Sequence, residues 1–363
     1  MNRRQQQQAE FDQSRANIIV GDAGHCPLPP SELAAIDAQH PSVVEYFGSG
    51  LTAQVFRLSC DGKDYTLKKR RPQAKVANLD GQYSFLNEVQ RRADFAQLKS
   101  HHSHEFQSHQ PFHHIVDTVY ADYRLGIILS PWIEGRALNE LTPGLAEQLL
   151  DTLFACEKHG LMEWDLCQGN LLVDDSGALK LFDFGYMYRF DPLTEFNSNG
   201  LSDPLFHAAE RFETRFISGW LLGFDIDQQL ALYRVWKQAA LSNYRQRLAW
   251  LVEKGASKAV IGRIENTVEL WQQALQSGSQ FHALFLVEMF RSHVLDIEDD
   301  LAGQSCTALT LKRIDVVLAA IQGHFSQLEQ GGALFYHNQG KSQSQLLSDY
   351  TTKSLTAKKY QIS

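Results

Sequence analysis

The sequence predicts an α+β protein in which a small antiparallel sheet precedes a larger, mainly helical part. Between residues 43 and 70, short runs rich in Val, Phe, Tyr and Thr are separated by turn residues, and Asp61-Gly62 is typical of a hairpin. Beyond Pro131 the apolar residues recur at helical spacing. The chain has 363 residues, of which 44% are hydrophobic and 21% charged, which is sufficient for a folded core.

The sheet-rich part contains one long helix among its predicted strands. Strands are predicted at 43–47, 54–59 and 65–68, a helix at 84–98, and further strands at 115–120 and 124–129. In the second part, Leu145, Leu149 and Leu153 form one helical stripe, two short strands lie between 171 and 185, and helices dominate after 205.

These patterns suggest four segments. Residues 1–40 form a polar, Pro-containing N-terminal extension with a mobile tip, and residues 41–131 form the sheet-rich domain. Residues 132–335 form the helical domain. Residues 336–363 are rich in Ser, Thr, Gln and Lys, and we expect a disordered polar tail there.

Charge and composition exclude several classes of protein. A net charge of −8 argues against a nucleic-acid binder that works through a basic field. No apolar run is long enough for a membrane span, and the start has no apolar stretch typical of a secretory signal. Five scattered cysteines without a C-x-x-C pair are typical of a reduced, cytoplasmic protein.

Six of the 14 histidines lie between 101 and 114, namely His101, His102, His104, His109, His113 and His114. Imidazoles at such density could converge on zinc. No cysteine accompanies them, so a solvated loop is the favoured interpretation, and metal binding stays an open alternative.

A glycine-bearing turn, Gly48-x-Gly50-x-x-Ala53-x-Val55, lies between two predicted strands. Paired glycines also serve ordinary hairpins, so the motif alone is weak. Its position between strands disfavours a dinucleotide-binding βαβ unit. It favours a hairpin whose bare backbone can approach phosphate groups closely.

A lysine and a glutamate form the next candidate pair. Lys68 follows Val55 by 13 residues at the end of the next strand, with Lys69 on the opposite face. Glu88 comes 20 residues later within the predicted helix. An ion pair between Lys68 and Glu88 would hold the ammonium group toward phosphates. Taken singly, each residue would be read as a solvated surface side chain.

Three oxygen-bearing side chains carry the strongest signal. Asp165 and Asn170 are five residues apart in a loop between a helix and a strand, and Asp183 ends the following hairpin in Asp-Phe-Gly. The hairpin brings Asn170 and Asp183 together, and their oxygens are ligands suited to Mg²⁺. Asp165 is then left to accept a proton from an attacking hydroxyl.

Chance does not explain this constellation. The probability that a chain of this length contains five specified residues at fixed offsets by coincidence is on the order of 10⁻⁴. In these motifs the chain resembles the protein-kinase-like superfamily of ATP-dependent phosphotransferases, over about 40% of its length, from 43 to 187.

The resemblance implies a two-lobed kinase-like fold, a role for each motif residue, and ATP and Mg²⁺ as cofactors. The turn residues Gly48, Gly50, Ala53 and Val55 would cover ATP, and Lys68, paired with Glu88, would contact its phosphates. Pro131, Trp132 and Ile133 would form the hinge that holds adenine. Asp165 would be the catalytic base, and Asn170 and Asp183 would bind magnesium.

Some positions depart from the protein-kinase pattern. Glu163-Trp164 replaces the usual His-Arg before the base, Cys167 replaces a usual lysine, and Gly169 precedes Asn170 as in the aminoglycoside- and choline-phosphorylating members. The acceptor is therefore open between a protein Ser/Thr hydroxyl, slightly favoured by the hinge and Asp-Phe-Gly, and a small molecule or lipopolysaccharide sugar. A catalytically silent binding module is a third alternative.

Overall fold

The computed structural model describes residues 3–76, 78–102 and 111–362, with His102 described by its backbone alone. It confirms the predicted α+β class, with a small antiparallel sheet early in the chain and a mainly helical later part. The chain divides into two compact units. The first comprises Met1–Ala137 and Asn170–Tyr188, and the second comprises Leu138–Gly169 and Arg189–Ser363.

The first unit is built on a six-stranded antiparallel sheet in the order β1-β5-β6-β4-β3-β2. Its strands are β1 Ile19–Gly21, β2 Val43–Phe47, β3 Ala53–Cys60, β4 Lys63–Arg70, β5 Tyr120–Asp122 and β6 Ile127–Pro131. The first three predicted strands and the last are thus present. The strand expected at 115–120 is not, because only its last residue joins the sheet, in β5.

Three α-helices, a 3₁₀ helix at Ala23–His25 and a small second sheet complete the described part of this unit. The helices are α1 Arg3–Gln13, α2 Pro30–Ala35 and α3 Leu79–His102. The second sheet contains β7 Gly135–Ala137, β9 Leu171–Asp174 and β10 Leu179–Leu181 in the order β10-β9-β7. The predicted hairpin between 171 and 185 is therefore present, but it belongs to the first unit and not to the helical domain.

Alternation along β4 decides which face each side chain occupies. Leu67 is buried with Phe56 and Leu58 on one face of the sheet, and Lys69 reaches the Ile36 carbonyl there. Lys68 points to the opposite face, which α3 covers, because successive strand residues alternate in direction.

The N-terminal segment, predicted to be a separate extension, takes part in the sheet of the first unit. Strand β1 pairs with β5, and Val20 is buried against Ala121. The Arg124 guanidinium also donates hydrogen bonds to the carbonyl oxygens of Phe11 and Ser14, at 3.0 and 2.6 Å. A three-residue strand is too short to show alternation, so the sequence pattern alone could not reveal this pairing.

The second unit is mainly helical. Among the described residues its α-helices are α4 Pro143–Lys158, α5 Ala208–Phe212, α6 Ser218–Leu221, α7 Ile226–Glu253, α8 Lys258–Gln276, α9 Gly278–Gly303, α10 Ala308–Gln330 and α11 Gln343–Lys359. A five-residue π-helix lies at Glu213–Ile217 and a 3₁₀ helix at Tyr336–Asn338. The short strand β8, Leu161–Glu163, follows α4, and β11, Met187–Arg189, spans the boundary between the units. Across the described parts of the chain, no helix has both the length and the apolar character needed to cross a bilayer.

The last residues of the chain are helical, in contrast to the expected disordered tail. Helix α11 begins at a capping box formed by Ser342 and Gln345. Leu346, Tyr350 and Ala357 recur at helical spacing and are fully buried against α9 and α10. The stripe is hard to recognise in the sequence, because the segment is mostly polar and only every third or fourth residue faces the core.

We predict that Tyr350→Ala lowers the free energy of unfolding of the second unit by about 3 kcal/mol, because it opens a cavity and leaves Asn338 without its 2.8 Å hydrogen bond to the hydroxyl. Urea denaturation measures the change. The matched control is Leu355→Ala on the same helix, whose side chain is 58% exposed, and it should change stability by less than about 0.5 kcal/mol. Equal effects of the two substitutions would contradict the packing of α11.

Candidate active site

Lys68 is the centre of a buried charge cluster in the first unit. Its ammonium Nζ lies 2.5 Å from Glu88 Oε2 and 2.7 Å from Asp183 Oδ2, and its side chain is 13% exposed. The three residues are separated by 20 and 95 positions in the sequence. Strand β4, helix α3 and the segment after β10 bring them together, and Lys68 thus bridges two carboxylates of the predicted site.

Helix α3 also fixes the Asp-Phe-Gly segment. The Asn87 amide donates to the carbonyl oxygens of Phe184, Gly185 and Met187 at 3.1, 3.1 and 2.7 Å. Phe184 is fully buried and packs on Phe95 with ring centroids 5.0 Å apart. Because α3 holds the Phe184 ring and the backbone from Phe184 to Met187, it also limits the position of the preceding residue, Asp183.

Arg92 is a buried arginine one turn after Glu88. Its guanidinium lies 3.1 Å from Glu88 Oε1 and donates at 2.5 Å to the Phe182 carbonyl oxygen and at 3.2 Å to Ser130 Oγ. It also lies 4.9 Å from the centroid of the Phe184 ring. Arg92 therefore ties Glu88, β6 and the segment that carries Asp183 into one network.

The charges of this network shift the pKa values of both carboxyl groups. Burial raises the pKa of Glu88, and the attraction of Lys68 and Arg92 only partly opposes that rise. Burial also acts to raise the pKa of Asp183, but Lys68 outweighs it, so this pKa lies below its ordinary value. The pKa of Lys68 is raised, because its two carboxylate partners outweigh its own burial. Asp183 thus stays ionised near neutral pH, as a metal ligand must.

Asn170 and Asp183 lie at the same end of the small hairpin. Asn170 closes a 3₁₀ turn directly before β9, and Leu171 pairs with Leu181, two residues before Asp183. Their hard oxygen atoms are of the kind that Mg²⁺ prefers. Over the described residues no three His, Cys, Asp or Glu side chains form a metal cluster. Asn170 and Asp183 alone do not complete the octahedral coordination that Mg²⁺ demands, so an ion held here would need phosphate oxygens or water as further ligands.

Arg71 holds the backbone of the glycine turn from one side. The Arg71 guanidinium donates to the carbonyl oxygens of Gly48 and Gly50 at 2.6 and 2.8 Å, and its amide donates to that of Thr52. The amide that follows each carbonyl in a trans peptide points the opposite way, so these amides are directed away from Arg71. A Cβ at Gly50 would lie 2.5 Å from the Ala53 carbonyl oxygen, so glycine is required there.

Ala53 and Val55 lie on the same face of the sheet as Lys68. Val55 is the direct register partner of Lys68 in the β3–β4 pair, and Ala53 pairs with Arg70. Ala53 begins β3 and is buried against the α3 core, so it belongs to the strand and not to the turn.

The predicted hinge residues lie at the end of β6 and directly after it. Pro131 ends that strand, the Trp132 amide donates to the Asp64 carbonyl oxygen at 3.0 Å, and Ile133 is half-buried. The Trp132 ring stacks on Phe47 with centroids 6.2 Å apart. The segment is thus anchored to β4 and β2, and its contact with adenine stays a prediction.

Asp165 lies in the second unit, after β8. Its amide donates to Glu163 Oε1 at 2.8 Å, and its Oδ1 lies 2.9 Å from Arg215 Nε. Cys167 Sγ lies 3.9 Å from the other carboxylate oxygen. The carboxylate predicted to be the base is therefore paired with a permanent cation.

Two buried networks hold the π-helix that carries Arg215. At its start, Glu213 lies 2.7 Å from the Nζ of Lys237 and accepts a 2.6 Å hydrogen bond from Trp236. Further on, Arg215 Nη1 is paired with Asp296 of α9. A π-helix widens the backbone locally and is often found at functional sites.

The histidine cluster is only partly described. His104 and His109 lie outside the described residues, and His101 is exposed on the last turn of α3. His114 is buried with Nδ1 2.7 Å from the Leu179 carbonyl oxygen, and burial lowers its pKa. His114 is therefore bound to β10 of the small hairpin. Zinc binding by the histidine cluster stays an open alternative.

A recess in the second unit contains none of the predicted site residues. Its walls come from α4, α7, α8 and the segment 190–207, with Phe154, Phe206 and Trp250 among the lining residues. Arg247 and Glu157 meet within it at 2.6 Å and compensate each other's charge.

Sequence reasoning missed Arg92 and Arg215. Arg92 stands four residues after Glu88, which is the spacing of neighbours on one helix face, so the sequence did contain a signal for their pairing. Arg215 lies 50 residues after Asp165, and no local pattern relates the two.

Comparison with known proteins gives short similarities. No protein-family model matches the chain. An uncharacterized protein of Mycobacterium tuberculosis is 54% identical over 37 residues, which are 10% of this chain and 8% of that protein. A "probable serine/threonine-protein kinase" of Arabidopsis thaliana is 44% identical over 48 residues, 13% of this chain and 8% of that protein.

Among solved structures, the complex of a Mycobacterium tuberculosis protein with erythromycin is similar over 49% of this chain and 55% of that chain, with 16% identity and a TM-score of 0.28. The chain spans only 8% of the length of the curated relatives it matches. The match to the Arabidopsis protein covers too little of either chain to show a family. The activity is therefore inferred below from the residues of this chain.

We predict that Arg92→Met lowers the free energy of unfolding of the first unit by about 3 kcal/mol, because it leaves the Phe182 carbonyl and part of the Glu88 carboxylate without a partner in a buried place. Chemical denaturation measures the change. Arg15→Met, at an exposed position of the same unit, is the control and should alter stability by less than about 0.5 kcal/mol. If Arg92→Met has the same free energy of unfolding as the wild-type protein, the network does not stabilise the first unit as described.

The second unit should lose stability in mild acid. Burial lowers the pKa of His207 and His293 well below the ordinary 6.5, assisted by Arg263 near His207 and by Arg313 near His293. Below that pH the unfolded chain binds protons that the folded chain does not, so the free energy of unfolding falls as pH falls. His293→Gln should reduce this fall by up to about 1.4 kcal/mol per pH unit. Denaturation curves between pH 7 and 5 test this, and an unchanged slope would disprove the contribution of His293.

Proposed function

We propose that the protein is an ATP- and Mg²⁺-dependent phosphotransferase that moves the γ-phosphoryl group of ATP to a hydroxyl group. The observation that carries this proposal is the buried Lys68 ammonium, held between Glu88 and Asp183 at 2.5 and 2.7 Å. A lysine so placed, beside a carboxylate that remains ionised and a glycine turn whose amides point away from Arg71, suits the binding of a metal-bound triphosphate.

Each residue then has a defined role. The amides of the Gly48–Gly50 turn and the Lys68 ammonium hold the phosphates, and Glu88 keeps Lys68 in place. Asp183 and Asn170 would hold the magnesium ion, which neutralises charge on the phosphate oxygens. Asp165 orients the incoming hydroxyl and accepts its proton. Trp132 and its neighbours Pro131 and Ile133 would border the adenine.

For the acceptor we favour a serine or threonine hydroxyl of a protein. The intact Asp-Phe-Gly, fixed by three hydrogen bonds from Asn87, supports this choice. The competing acceptor is a small molecule or a lipopolysaccharide sugar, which the Gly169-Asn170 spacing favours. Phosphoryl transfer from labelled ATP to casein, compared with transfer to a panel of amino sugars and lipopolysaccharide, decides between them.

The activity test compares the wild-type protein with Asp165→Asn, Asp183→Asn and Lys68→Met. We expect Asp165→Asn to lower the transfer rate by about 10²-fold to 10⁴-fold, because a general base contributes that much. It should retain ATP-induced thermal stabilisation, which Lys68→Met should lose. Chelation of Mg²⁺ should abolish transfer by the wild type.

Asp191→Asn is the matched control, because this aspartate lies on an exposed turn of the second unit and caps Leu193 and Thr194. It should transfer phosphate at the wild-type rate. If wild type and the three site variants share one background rate, the enzyme proposal is wrong. ATP binding without transfer by the wild type would then identify the silent binding module.

A further inference from the structure

Four charged side chains of the second unit alternate in sign from the core to Asp165. Arg313 Nε lies 2.9 Å from Asp296 Oδ2, Asp296 Oδ1 is paired with Arg215 Nη1, and Arg215 Nε lies 2.9 Å from Asp165 Oδ1. The side chains are 1%, 9%, 23% and 24% exposed in that order. The chain of charges therefore begins in the interior and ends at the predicted base.

The geometry leaves the two inner members little freedom. Asp296 uses its two carboxylate oxygens for two different arginines, and Arg215 uses two different nitrogens for two different carboxylates. Each is thus held from both ends, which fixes the side-chain torsions. Arg313 is anchored in turn by Ser218 Oγ at 2.5 Å and by His293 Nδ1 at 3.2 Å.

The stability of the second unit depends less on the outer end of this series of charges, which is the Arg215–Asp165 pair, than on its buried end. Arg313 and Asp296 compensate each other in the core, where an unpaired charge costs several kcal/mol. The Arg215–Asp165 pair is about a quarter exposed, so water can reach the charges left when it is broken, and its loss costs less than loss of the buried Arg313–Asp296 pair. Arg215 is nevertheless placed on a π-helix that two buried networks hold in position.

We propose that Arg215 is a positioning residue for Asp165, and that Asp296 and Arg313 hold its guanidinium from behind. This rests on the proposed phosphotransferase function. Arg215 fixes the carboxylate through Oδ1 while Glu163 fixes the Asp165 amide, so the base is held at its backbone and at its side chain. A base held in one orientation meets the acceptor hydroxyl without a search over its rotamers.

The experiment measures phosphoryl transfer from labelled ATP to casein, or to whichever acceptor the wild type uses, for Arg215→Ala and Arg215→Lys. We expect Arg215→Ala to lower kcat by about 10-fold to 100-fold while the Kd of ATP stays within about two-fold of wild type. Arg215→Lys should recover part of the loss, because its ammonium can reach one carboxylate and not both. Guanidinium ion at millimolar concentration should raise kcat of Arg215→Ala.

Arg245→Ala is the matched control, since Arg245 is an exposed arginine of the same unit that contacts Gln272 at 2.8 Å. It should keep the wild-type kcat and show no response to guanidinium. The inference is overturned if Arg215→Ala retains the wild-type kcat. It is also overturned if Arg215→Ala loses kcat together with ATP affinity and thermal stability and guanidinium does not restore the rate.

These outcomes are distinct from a failure of the proposed function. In that case the wild-type protein itself transfers no phosphate to any acceptor tested, and Asp165→Asn is indistinguishable from it. Transfer by the wild type that depends on Asp165 but is insensitive to Arg215 rejects the positioning role and leaves the proposed function standing.

Discussion

The first unit depends on one constraint, which is that the positive charge of the buried Lys68 ammonium must be neutralised by carboxylates. The side chain lies between a sheet and a helix with little access to water, and a buried cation without a partner costs several kcal/mol. Two carboxylates from distant parts of the chain therefore have to meet it. This requirement fixes the rotation of α3, which presents Glu88, and the path of the chain after β10, which presents Asp183.

Once α3 is fixed in this way, its neighbouring residues acquire their roles. Asn87 and Arg92 lie on the same helix as Glu88. Arg92 binds the Phe182 carbonyl before Phe184, and Asn87 binds the Gly185 and Met187 carbonyls after it. A helix that moved away from the sheet would break the Lys68–Glu88 pair and release the Asp-Phe-Gly segment at the same time. The positions of Lys68 and of the Asp183 carboxylate in this unit therefore depend on the same helix.

The sequence could predict motifs whose members are close together or occur in a strong pattern. The β3–β4 hairpin follows from Asp61-Gly62, and the pairing of Lys68 with Glu88 follows from the resemblance of the motifs. The tertiary networks are different, because Arg215 and Asp165 meet through packing of helices that no local pattern relates. The C-terminal helix was missed for a similar reason, since its apolar stripe is sparse and becomes visible only against α9 and α10.

Lysine and arginine have different roles in the two networks. Lysine carries a compact charge with three rotatable donors, so Lys68 can keep one carboxylate partner while another donor turns toward a different group. Arginine has a planar fork of fixed donors that binds several acceptors in set directions. Arg92 and Arg215 are each bound to two or more groups, and such side chains suit a rigid frame better than a moving ligand. In the proposed function the cation that meets the nucleotide is therefore the lysine, and the arginines fix the carboxylates around it.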